Sequence, residues 1–532
     1  MSLTHDPAVV LNGVSFVWPD GTPTIRGIDA TFTTGRTGLI GANGTGKSTV
    51  LRLVAGELMP TSGSLSVSGR IGYLPQQLSL RTGATVAELL GTRARIDSLR
   101  AIESGDASSR HFDTLADDWD VETRSRAALD RVGLRGIDLD RSVGALSGGE
   151  TVLAALTGLH MGEADVVLLD EPTNNLDRQH RERLYQLIAG WRGALIVVSH
   201  DVALLNHMDE TAELRSGSLT VFGGPYDDYR AHVARDQAAA EQALRSAEQN
   251  LKKEKRQRSE AQTKLARRQR YARSDFENKR RPKTIMRQRA SEAQVSAGKL
   301  RGELDVKVDA AQAAVDDQAR RVRCDDRIRI DLPDPDVASA RRLAEFCDRH
   351  GHSVVVQGAE RVALVGRNGI GKTRLLSTLV DPGTHEDTDV YAVRYTDRIG
   401  YLPQRLDHLG SEQSVIDAVR EVAPTAPPAM VRADLARFLF RGEAVDRRVG
   451  DLSGGERFRV ALARLLLADP PHQLLVLDEP TNNLDLQSLD ELVDALAGYR
   501  GGLIVVSHDD DFLSRLGTNV WVELGEGGLT VD

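Results

Sequence analysis

The stretch Gly41-Ala-Asn-Gly-Thr-Gly-Lys47-Ser48 recurs 325 residues later as Gly366-Arg-Asn-Gly-Ile-Gly-Lys372-Thr373. Both copies match G-x-x-x-x-G-K-[ST], in which backbone N–H groups wrap phosphates, the lysine reaches the β- and γ-phosphates and the hydroxyl binds Mg²⁺. Each follows an apolar run (Thr37 to Ile40; Arg361 to Val365) and opens a helical stretch, as the motif requires. The sequence therefore predicts two nucleotide-phosphate sites on an α/β fold.

Four further motifs follow each phosphate loop in the same order. A strand-like run first ends at Gln76 or Gln404, whose neutral amide can approach Mg²⁺ and an attacking water. Next comes Leu-Ser-Gly-Gly-Glu, at 146–150 and 452–456, where a serine and two glycines open a helix. The hydroxyl, the amides and the positive end of that helix can bind a γ-phosphate.

Two strand-end motifs complete each series. Apolar runs end in the pairs Asp170-Glu171 and Asp478-Glu479, and later runs end at His200 and His508. The aspartate suits Mg²⁺ through water, while the glutamate can orient and deprotonate the nucleophilic water. The histidine can contact the γ-phosphate. The predicted catalytic residues are thus Gln76, Glu171, His200, Gln404, Glu479 and His508.

The remaining site residues follow from the phosphate loops, the Leu-Ser-Gly-Gly-Glu motifs and one aromatic residue. An aromatic side chain ahead of the first loop, Trp18 or less favourably Phe16, can stack on adenine, but 346–357 offers no convincing equivalent. Together with Arg374 after the second loop, this predicts two unequal sites. The predicted metal ligands are Ser48, Gln76, Asp170, Thr373, Gln404 and Asp478. The predicted nucleotide contacts are Trp18, Gly41, Asn43, Gly44, Gly46, Lys47, Ser48, Thr49, Ser147, Gly148, Gly149, Gly366, Asn368, Gly369, Gly371, Lys372, Thr373, Ser453, Gly454 and Gly455.

Charge is distributed very unevenly along the 532 residues. The net charge is −9, yet Lys252 to Arg289 contains 16 Lys or Arg against four acids, a net of +12 that leaves −21 elsewhere. The surrounding Ala-, Gln-, Glu-, Lys- and Arg-rich stretch predicts a hairpin of two long helices, the first from about Tyr226 to Arg270, with a turn near 274–283. Taken by itself, this concentration of basic residues is as consistent with a polyanionic partner as with a solvated surface.

Spacing and composition define the expected domains. The repeat offset falls from 328 at the glutamines to 306 at the serines, so the first half holds 22 extra residues, part of them in the polar stretch around 103–120. The predicted domains are 1–228 and 326–532, joined by a linker at 229–325. No apolar run is long enough to cross a bilayer, and the N-terminus lacks a secretory pattern. Two cysteines, Cys324 and Cys347, cannot form a zinc site alone, so a cytoplasmic protein is expected.

The complete motif series resembles the nucleotide-binding domains of the ABC ATPase superfamily. The resemblance implies two domains that pack head to tail within a monomer, with each ATP and its Mg²⁺ between one domain's phosphate loop and the other's Leu-Ser-Gly-Gly-Glu. One site would combine Lys47 with Ser453, and the other would combine Lys372 with Ser147. On this basis neither domain hydrolyses ATP efficiently alone.

Within the superfamily, the duplicated Glu-Pro-Thr-Asn-Asn-Leu-Asp run (171–177 and 479–485) and the basic linker resemble the ABC-F proteins. The linker sequence 279–299 is most similar to antibiotic-resistance members from actinobacteria. This resemblance implies binding to the E site of the 70S ribosome, with the linker reaching 23S rRNA, the P-site tRNA and the peptidyl-transferase centre. It leaves open a role in translation or in antibiotic protection.

Two other function classes share the ATPase motifs. The motor subunit of a drug exporter would need a separate membrane protein, and it would leave the +12 segment without a role. A DNA-repair or chromosome-organising ATPase is disfavoured because the chain cannot build zinc modules and its linker helices are short for a chromosome-scale coiled coil. Co-sedimentation with ribosomes, association with membranes and stimulation by DNA distinguish the three classes.

Overall fold

The computed structural model describes residues 7–76, 83–174, 176–215, 217–277, 283–322, 332–381, 389–404, 406, 409–482 and 484–531. The chain forms two compact units, one comprising Met1–Tyr226 with Arg327–Asp532 and the other Asp227–Asp326. Both nucleotide-binding domains therefore belong to a single unit. Cys324 lies outside the described residues, and the domain limits proposed from the sequence stay a prediction.

The first domain is a six-stranded sheet and a three-stranded sheet with helices. Its strands are β1 (Pro7–Val17), β2 (Pro23–Thr33), β3 (Gly35–Ile40), β4 (Ser62–Val67), β5 (Ile71–Leu74), β6 (Val166–Asp170), β7 (Ala194–Val198), β8 (Glu210–Arg215) and β9 (Ser218–Phe222). Its helices are α1 (Lys47–Val54), α2 (Val86–Leu89), α3 (Arg93–Glu103), α4 (Ser109–Leu115), α5 (Val121–Arg131), α6 (Gly148–Met161), α7 (Arg178–Ala189) and α8 (Val202–Leu205).

The large sheet has the order β5-β6-β7-β3-β8-β9 and is parallel except for β9. Every residue of β6 and β7 is buried, as expected of apolar strands covered on both faces. One face packs against the antiparallel sheet β2-β1-β4 and the other against helices including α6. The first phosphate loop follows β3, an interior strand, at the carboxyl edge where ligands bind in such sheets.

The second domain repeats this architecture. Its strands are β10 (Arg342–Asp348), β11 (Ser353–Gln357), β12 (Arg361–Val365), β13 (Val390–Arg394), β14 (Ile399–Leu402), β15 (Leu474–Asp478), β16 (Gly502–Val506), β17 (Val520–Gly525) and β18 (Gly528–Val531). Its sheets have the orders β14-β15-β16-β12-β17-β18 and β11-β10-β13. Its helices follow α9 (Tyr226–Glu277) and α10 (Lys283–Arg321) of the linker, and they are α11 (Lys372–Val380), α12 (Val415–Arg420), α13 (Pro428–Arg437), α14 (Gly454–Leu466), α15 (Leu486–Ala497) and α16 (Asp510–Arg515). The predicted α/β fold class is confirmed.

The linker is a pair of long helices, α9 (Tyr226–Glu277) and α10 (Lys283–Arg321). The first helix runs past the predicted end near Arg270 because Tyr271 to Glu277 contains no glycine or proline to stop it. Leu251 packs with Val308 and Ala311, and Arg258 pairs with Asp305 at 3.3 Å, so the helices are antiparallel. Residues 278–282, within the predicted turn, lie outside the described part of the chain.

The polar stretch around 103–120 of the first domain contains the end of α3, the short helix α4 and the turn after it. This segment exposes Phe112 and Trp119, whose ring centroids are 6.1 Å apart. The polar stretch predicted at the surface is therefore partly helical. In the described part of the chain, no helix combines the length and the apolar character needed to cross a bilayer.

We expect Gly158→Ala to destabilise the protein by about 1–3 kcal/mol, the usual range for overpacking. A Cβ at this position of α6 would lie 2.5 Å from the Leu89 carbonyl oxygen and 2.9 Å from the Leu90 Cα, which are backbone atoms. Gly298→Ala in α10 is the matched control, because an added Cβ meets nothing within 4 Å. Thermal unfolding followed by circular dichroism should show a lower Tm only for Gly158→Ala. Equal Tm values for the two variants would contradict the packing argument.

Candidate nucleotide-binding sites

Each phosphate loop is held in shape by glycine and by its own lysine. Gly46 caps α1 with φ 102° and Gly371 caps α11 with φ 105°, in the left-handed region that favours glycine. The Lys47 Nζ donates to the carbonyl oxygens of Gly41 at 2.7 Å and Ala42 at 3.2 Å. The Lys372 Nζ makes the same pair of contacts in the second loop. Both lysines therefore lie over the loop in which a phosphate would sit.

A cavity of about 450 Å³ opens over the first loop. It brings together most of the residues predicted for this site, and it adds Thr24, Asn174 and Val198, which the sequence motifs did not indicate. The lining residues are Trp18, Thr24, Asn43, Gly44, Gly46, Lys47, Ser48, Thr49, Gln76, Glu171, Asn174, Val198 and His200. Asp170 lies beneath them, where its Oδ1 accepts a hydrogen bond from Ser48 Oγ at 3.1 Å.

The corresponding cavity in the second domain is smaller, about 280 Å³. Its wall includes Leu176 of the first domain, so this cavity lies at the contact between the two domains. The lining residues are Leu176, Asn368, Gly369, Gly371, Lys372, Thr373, Gln404, Glu479, Asn482 and His508. Gly366 lies instead at the rim of a larger neighbouring cleft of about 920 Å³ between the domains.

The oxygen ligands of each site fit a hard divalent cation. In the second site Asp478 is fully buried and hydrogen bonds to Thr373, and its Oδ2 accepts from Tyr401 at 3.3 Å. Its Oδ1 is buried with no hydrogen-bond partner, which leaves a carboxylate oxygen for a metal-bound water. No group of three or more His, Cys, Asp or Glu forms a metal site among the described residues, so phosphate oxygens would have to complete the ligand set.

The two glutamates next to these aspartates have strained backbones. Glu171 has φ 51° and Glu479 has φ 48°, a region that side chains other than glycine, Asn and Asp seldom adopt. The N–H of each glutamate donates to the end of the neighbouring strand, at Val198 or Val506, at 2.9 Å. Such strain costs roughly 1–3 kcal/mol and persists where the surrounding structure fixes it, as it does at functional sites.

Each glutamate contacts the histidine of its own domain. His200 Nε2 lies 3.1 Å from Glu171 Oε1, and His508 Nε2 lies 3.3 Å from Glu479 Oε1. Burial raises the pKa of Glu171, and it raises the pKa of Glu479 to about 7. Burial also lowers the pKa of His508 to about 3, so the imidazole stays neutral and the glutamate is a stronger proton acceptor than an exposed carboxylate.

The two domains meet through aspartates that were not predicted as site residues. Asp485, at the start of α15, accepts a hydrogen bond from the backbone N–H of Asn43 at 2.6 Å. Asp177, at the start of α7, accepts one from the N–H of Asn368 at 3.4 Å. Each phosphate loop thus contacts the other domain. The sequence feature that could have indicated these aspartates is a Leu-Asp pair that recurs in both domains, with the aspartate six residues after the glutamate.

The Leu-Ser-Gly-Gly-Glu serines cap their own helices. Ser147 accepts from the N–H of Glu150, and Ser453 accepts from the N–H of Glu456, both within reciprocal capping boxes. These serines and the adjoining glycines, Gly148, Gly149, Gly454 and Gly455, are not among the described residues that line the two cavities. Their contact with nucleotide across the domain interface stays a prediction.

The adenine side of the two sites differs. In the first domain, Trp18 lines the cavity, and a Cβ at Gly46 would lie 2.7 Å from Ile25 and 2.8 Å from Thr24, so the β1–β2 hairpin covers the loop. In the second domain, β10 and β11 are shorter, and a Cβ at Gly371 would meet nothing within 4 Å. Phe346 is fully buried in the core. The second loop therefore lacks a comparable cover among the described residues.

Comparisons with known proteins agree with this geometry. Residues 25–174 and 350–482 match the family described as "ABC transporter". The tylosin resistance ATP-binding protein TlrC of Streptomyces fradiae is 32% identical over 98% of this chain and 96% of its own length. The energy-dependent translational throttle protein EttA of Mycobacterium tuberculosis is 30% identical over 91% of this chain and 85% of its own. The chain belongs to the ABC-F family of ATPases.

Solved structures agree on the fold of this ABC-F protein. A structure described as RNase-L Inhibitor superposes with a TM-score of 0.57 at 18% identity, over 98% of this chain and 89% of that one. A structure of an archaeal ribosome recycling factor superposes with a TM-score of 0.55 at 19% identity, over 98% of this chain and 89% of that one. At such identities the likeness establishes a shared fold. As an ABC-F ATPase, the chain binds and hydrolyses ATP in its two α/β domains.

We expect Trp18→Ala to weaken ATP binding at the first site about tenfold, because stacking of a base on an aromatic ring contributes roughly 1–3 kcal/mol. The measurement is ATP titration in a Lys372→Ala background, which removes the second phosphate loop. Trp119→Ala removes an exposed tryptophan outside the cavity and should leave the affinity unchanged. If Trp18→Ala binds ATP as tightly as its parent, adenine does not stack on Trp18.

Glu171→Gln with Glu479→Gln should lower the rate of phosphate release by at least about 100-fold, because glutamine cannot accept the proton of the attacking water. Each single variant should retain the turnover of the other site. Glu163→Gln is a matched control, since Glu163 has the same left-handed backbone (φ 49°) but an exposed side chain outside both cavities. Residual turnover of the double variant near the parent rate would exclude these glutamates as general bases.

Proposed function

We propose that this ABC-F ATPase binds the 70S ribosome when ATP holds its two domains together, and that hydrolysis releases it. The observation that carries the proposal is the pairing of two interlocked ATPase domains with a strongly basic helical hairpin. The names of two relatives, a translational throttle protein and a tylosin resistance protein, support a role connected with translation. A ribosomal role would place the protein in the cytoplasm.

The residues of each site have separate tasks in this proposal. Lys47 and Lys372 bind the β- and γ-phosphates, and Glu171 and Glu479 accept the proton of the attacking water. His200 and His508 contact the γ-phosphate while they position the glutamates. In the first site Ser48, Asp170 and Gln76 would hold Mg²⁺. In the second site Thr373, Asp478 and Gln404 would do so. When bound, Mg²⁺ neutralises charge on the phosphate oxygens. Ser453 and Ser147 would complete the sites from the opposite domain.

The hairpin is the proposed RNA-binding element. Its helices contain 52 and 39 residues, which at 1.5 Å per residue gives lengths of about 78 and 58 Å. The segment from Lys252 to Arg289, with its net charge of +12, includes the second half of α9 and the start of α10. Arginine and lysine there can neutralise phosphates of 23S rRNA or of the P-site tRNA, which makes binding sensitive to salt.

Binding at the ribosomal E site would direct this hairpin towards the P-site tRNA and the peptidyl-transferase centre. There the hairpin could displace an antibiotic or adjust the tRNA. The similarity to TlrC over nearly the whole of both chains favours protection from an antibiotic over a general role in translation. A drug-exporter motor would use the same ATPase sites, but it assigns no role to the basic hairpin.

Sedimentation of the Glu171→Gln/Glu479→Gln variant with purified 70S ribosomes tests the proposal. With ATP the variant should migrate in the 70S peak, because the domains stay together when hydrolysis is blocked. The bound fraction should fall steeply as salt is raised, since each neutralised phosphate releases counterions. ADP should give little binding. Absence from the 70S peak with ATP at low and high salt would overturn the proposal, and association with membranes would then favour an exporter motor.

The matched control changes the hairpin charge while leaving the nucleotide domains intact. Replacing Lys252, Lys253, Lys255 and Arg256 with glutamine in the same double variant should reduce 70S binding at moderate salt. ATP binding should be unchanged, because these residues lie in α9 and outside both cavities. Unchanged 70S binding and salt dependence would show that this basic segment does not bind the ribosome.

A further inference from the structure

A buried arginine of the first domain reaches the second ATP site. Arg181 lies on α7, four residues after Asp177, and is 9% exposed. Its Nε donates to the carbonyl oxygen of Leu176 at 3.2 Å, a residue that itself lines the second cavity. Its Nη1 donates across the domain interface to the carbonyl oxygen of His508 at 3.4 Å. Arg181 therefore joins the two domains directly beside the second site.

The other end of this connection lies beside the first site. Arg181 Nη1 is 3.6 Å from the Oδ2 of Asp201, the residue that follows His200. The Asp201 carboxylate is fixed, because it accepts hydrogen bonds from Tyr185 OH at 2.6 Å and from the N–H of Leu204 at 3.0 Å. Any movement of the His200 loop therefore acts on the arginine through a buried ion pair.

His508, on the receiving side, touches three groups of the second site. Its Nε2 lies 3.0 Å from Lys372 Nζ, 3.0 Å from Asn368 Oδ1 and 3.3 Å from Glu479 Oε1. Arg181 contacts none of these directly; it holds the backbone of the residue that does. It is thus a positioning residue for the second site, placed where a small shift of the His508 backbone would move the imidazole.

The second domain has no arginine at the position equivalent to Arg181. The repeat offset of 308 residues places Leu489 and Val493 of α15 at the positions of Arg181 and Tyr185. Leu489 is buried in the hydrophobic core of the second domain, and Val493 packs against that core. An aliphatic side chain cannot form the ion pair or the hydrogen bond to a carbonyl oxygen. Arg181 therefore connects the His200 loop to His508, and the aliphatic residues at the equivalent positions of the second domain cannot make the same charged connection to the first.

We propose that Arg181 positions the second ATP site for hydrolysis, by holding the His508 backbone of that site in register with the His200 loop of the first. Arg181 would thereby support hydrolysis at the second site, and an effect on kcat, unlike an effect on binding affinity, need not be mutual between the two sites. The inference concerns the ATPase cycle alone and is independent of the ribosome as partner. It relies on Glu171 and Glu479 as the bases of the separate sites.

The test compares Arg181→Gln in two backgrounds that each leave one site active. Glu171→Gln reports on the second site and Glu479→Gln reports on the first. Arg181→Gln should lower kcat about tenfold in the second-site background, as expected for loss of a charge-assisted hydrogen bond. In the first-site background kcat should change less than about twofold. Equal loss in both backgrounds, or no loss in either, would overturn the proposal.

Two control variants separate positioning from general support of the interface. Arg178→Gln removes another cross-domain contact, the 2.8 Å ion pair with Asp510, but its side chain is 71% exposed, so both sites should keep their rates. Arg181→Lys retains the charge and should fold even if Arg181→Gln does not. Lysine keeps the positive charge but lacks the forked guanidinium that reaches Leu176 and His508 together. The loss of kcat should therefore be smaller than in Arg181→Gln and still confined to the second site.

Nucleotide release provides a readout that does not depend on turnover. In a Lys47→Ala/Glu479→Gln variant, only the second site can hold nucleotide, and hydrolysis there is blocked. Adding Arg181→Gln should speed the release of a fluorescent ATP analogue about tenfold, because the His508 backbone is no longer held. An unchanged release rate would contradict the proposal. Hydrolysis by the Glu171→Gln/Glu479→Gln variant would refute the assignment of the bases, whereas the release experiment would still test Arg181, because nucleotide release is measured without turnover.

Discussion

The structure depends on carboxylates that one domain supplies to the phosphate loop of the other. Asp485 accepts the N–H of Asn43, and Asp177 accepts the N–H of Asn368. A backbone N–H away from water needs a hydrogen-bond acceptor, and in each phosphate loop a carboxylate of the opposite domain is that acceptor. Each phosphate loop therefore makes a hydrogen bond that exists only when the domains meet. Since Leu176 of the first domain also lines the second cavity, the shape of that site is itself a property of the interface.

Duplication gave two sites with the same parts, but their surroundings have diverged. The first loop is covered by the β1–β2 hairpin and Trp18, while the second is more open on that side among the described residues. The cross-domain hydrogen bond is short at the first loop, 2.6 Å, and long at the second, 3.4 Å. Arg181 of the first domain donates to the His508 backbone of the second site, whereas Leu489 stands at its counterpart position in the second domain. These differences favour tight nucleotide binding at the first site and control of hydrolysis at the second.

The sequence predicted what short-range chemistry determines. The phosphate loops, the buried strands before Asp170 and Asp478, and the capped helices after Ser147 and Ser453 each follow from a local pattern that appears twice. Contacts across the interface could not be predicted, because Arg181 is one arginine among many until the fold buries it beside His508. The end of α9 was placed too early, since polar residues after Arg270 resemble a turn in composition while containing no residue that breaks a helix. Contacts between residues that are far apart in the sequence leave no motif of fixed spacing from which they could be predicted.

The strain at the two glutamates shows how the fold supports this chemistry. A left-handed backbone and a buried carboxylate are both unfavourable, yet Glu171 and Glu479 combine them in each domain. Both follow a fully buried strand, and the N–H of each is bonded to the end of the next strand, so the sheet fixes the turn. The turn directs each carboxylate at the histidine of the adjacent strand instead of continuing the alternation of the sheet. Burial then raises the pKa of the carboxylate, which makes it a better base. The same sheet that stabilises the domain therefore supplies the geometry and the proton affinity that the proposed role of these glutamates as general bases would require.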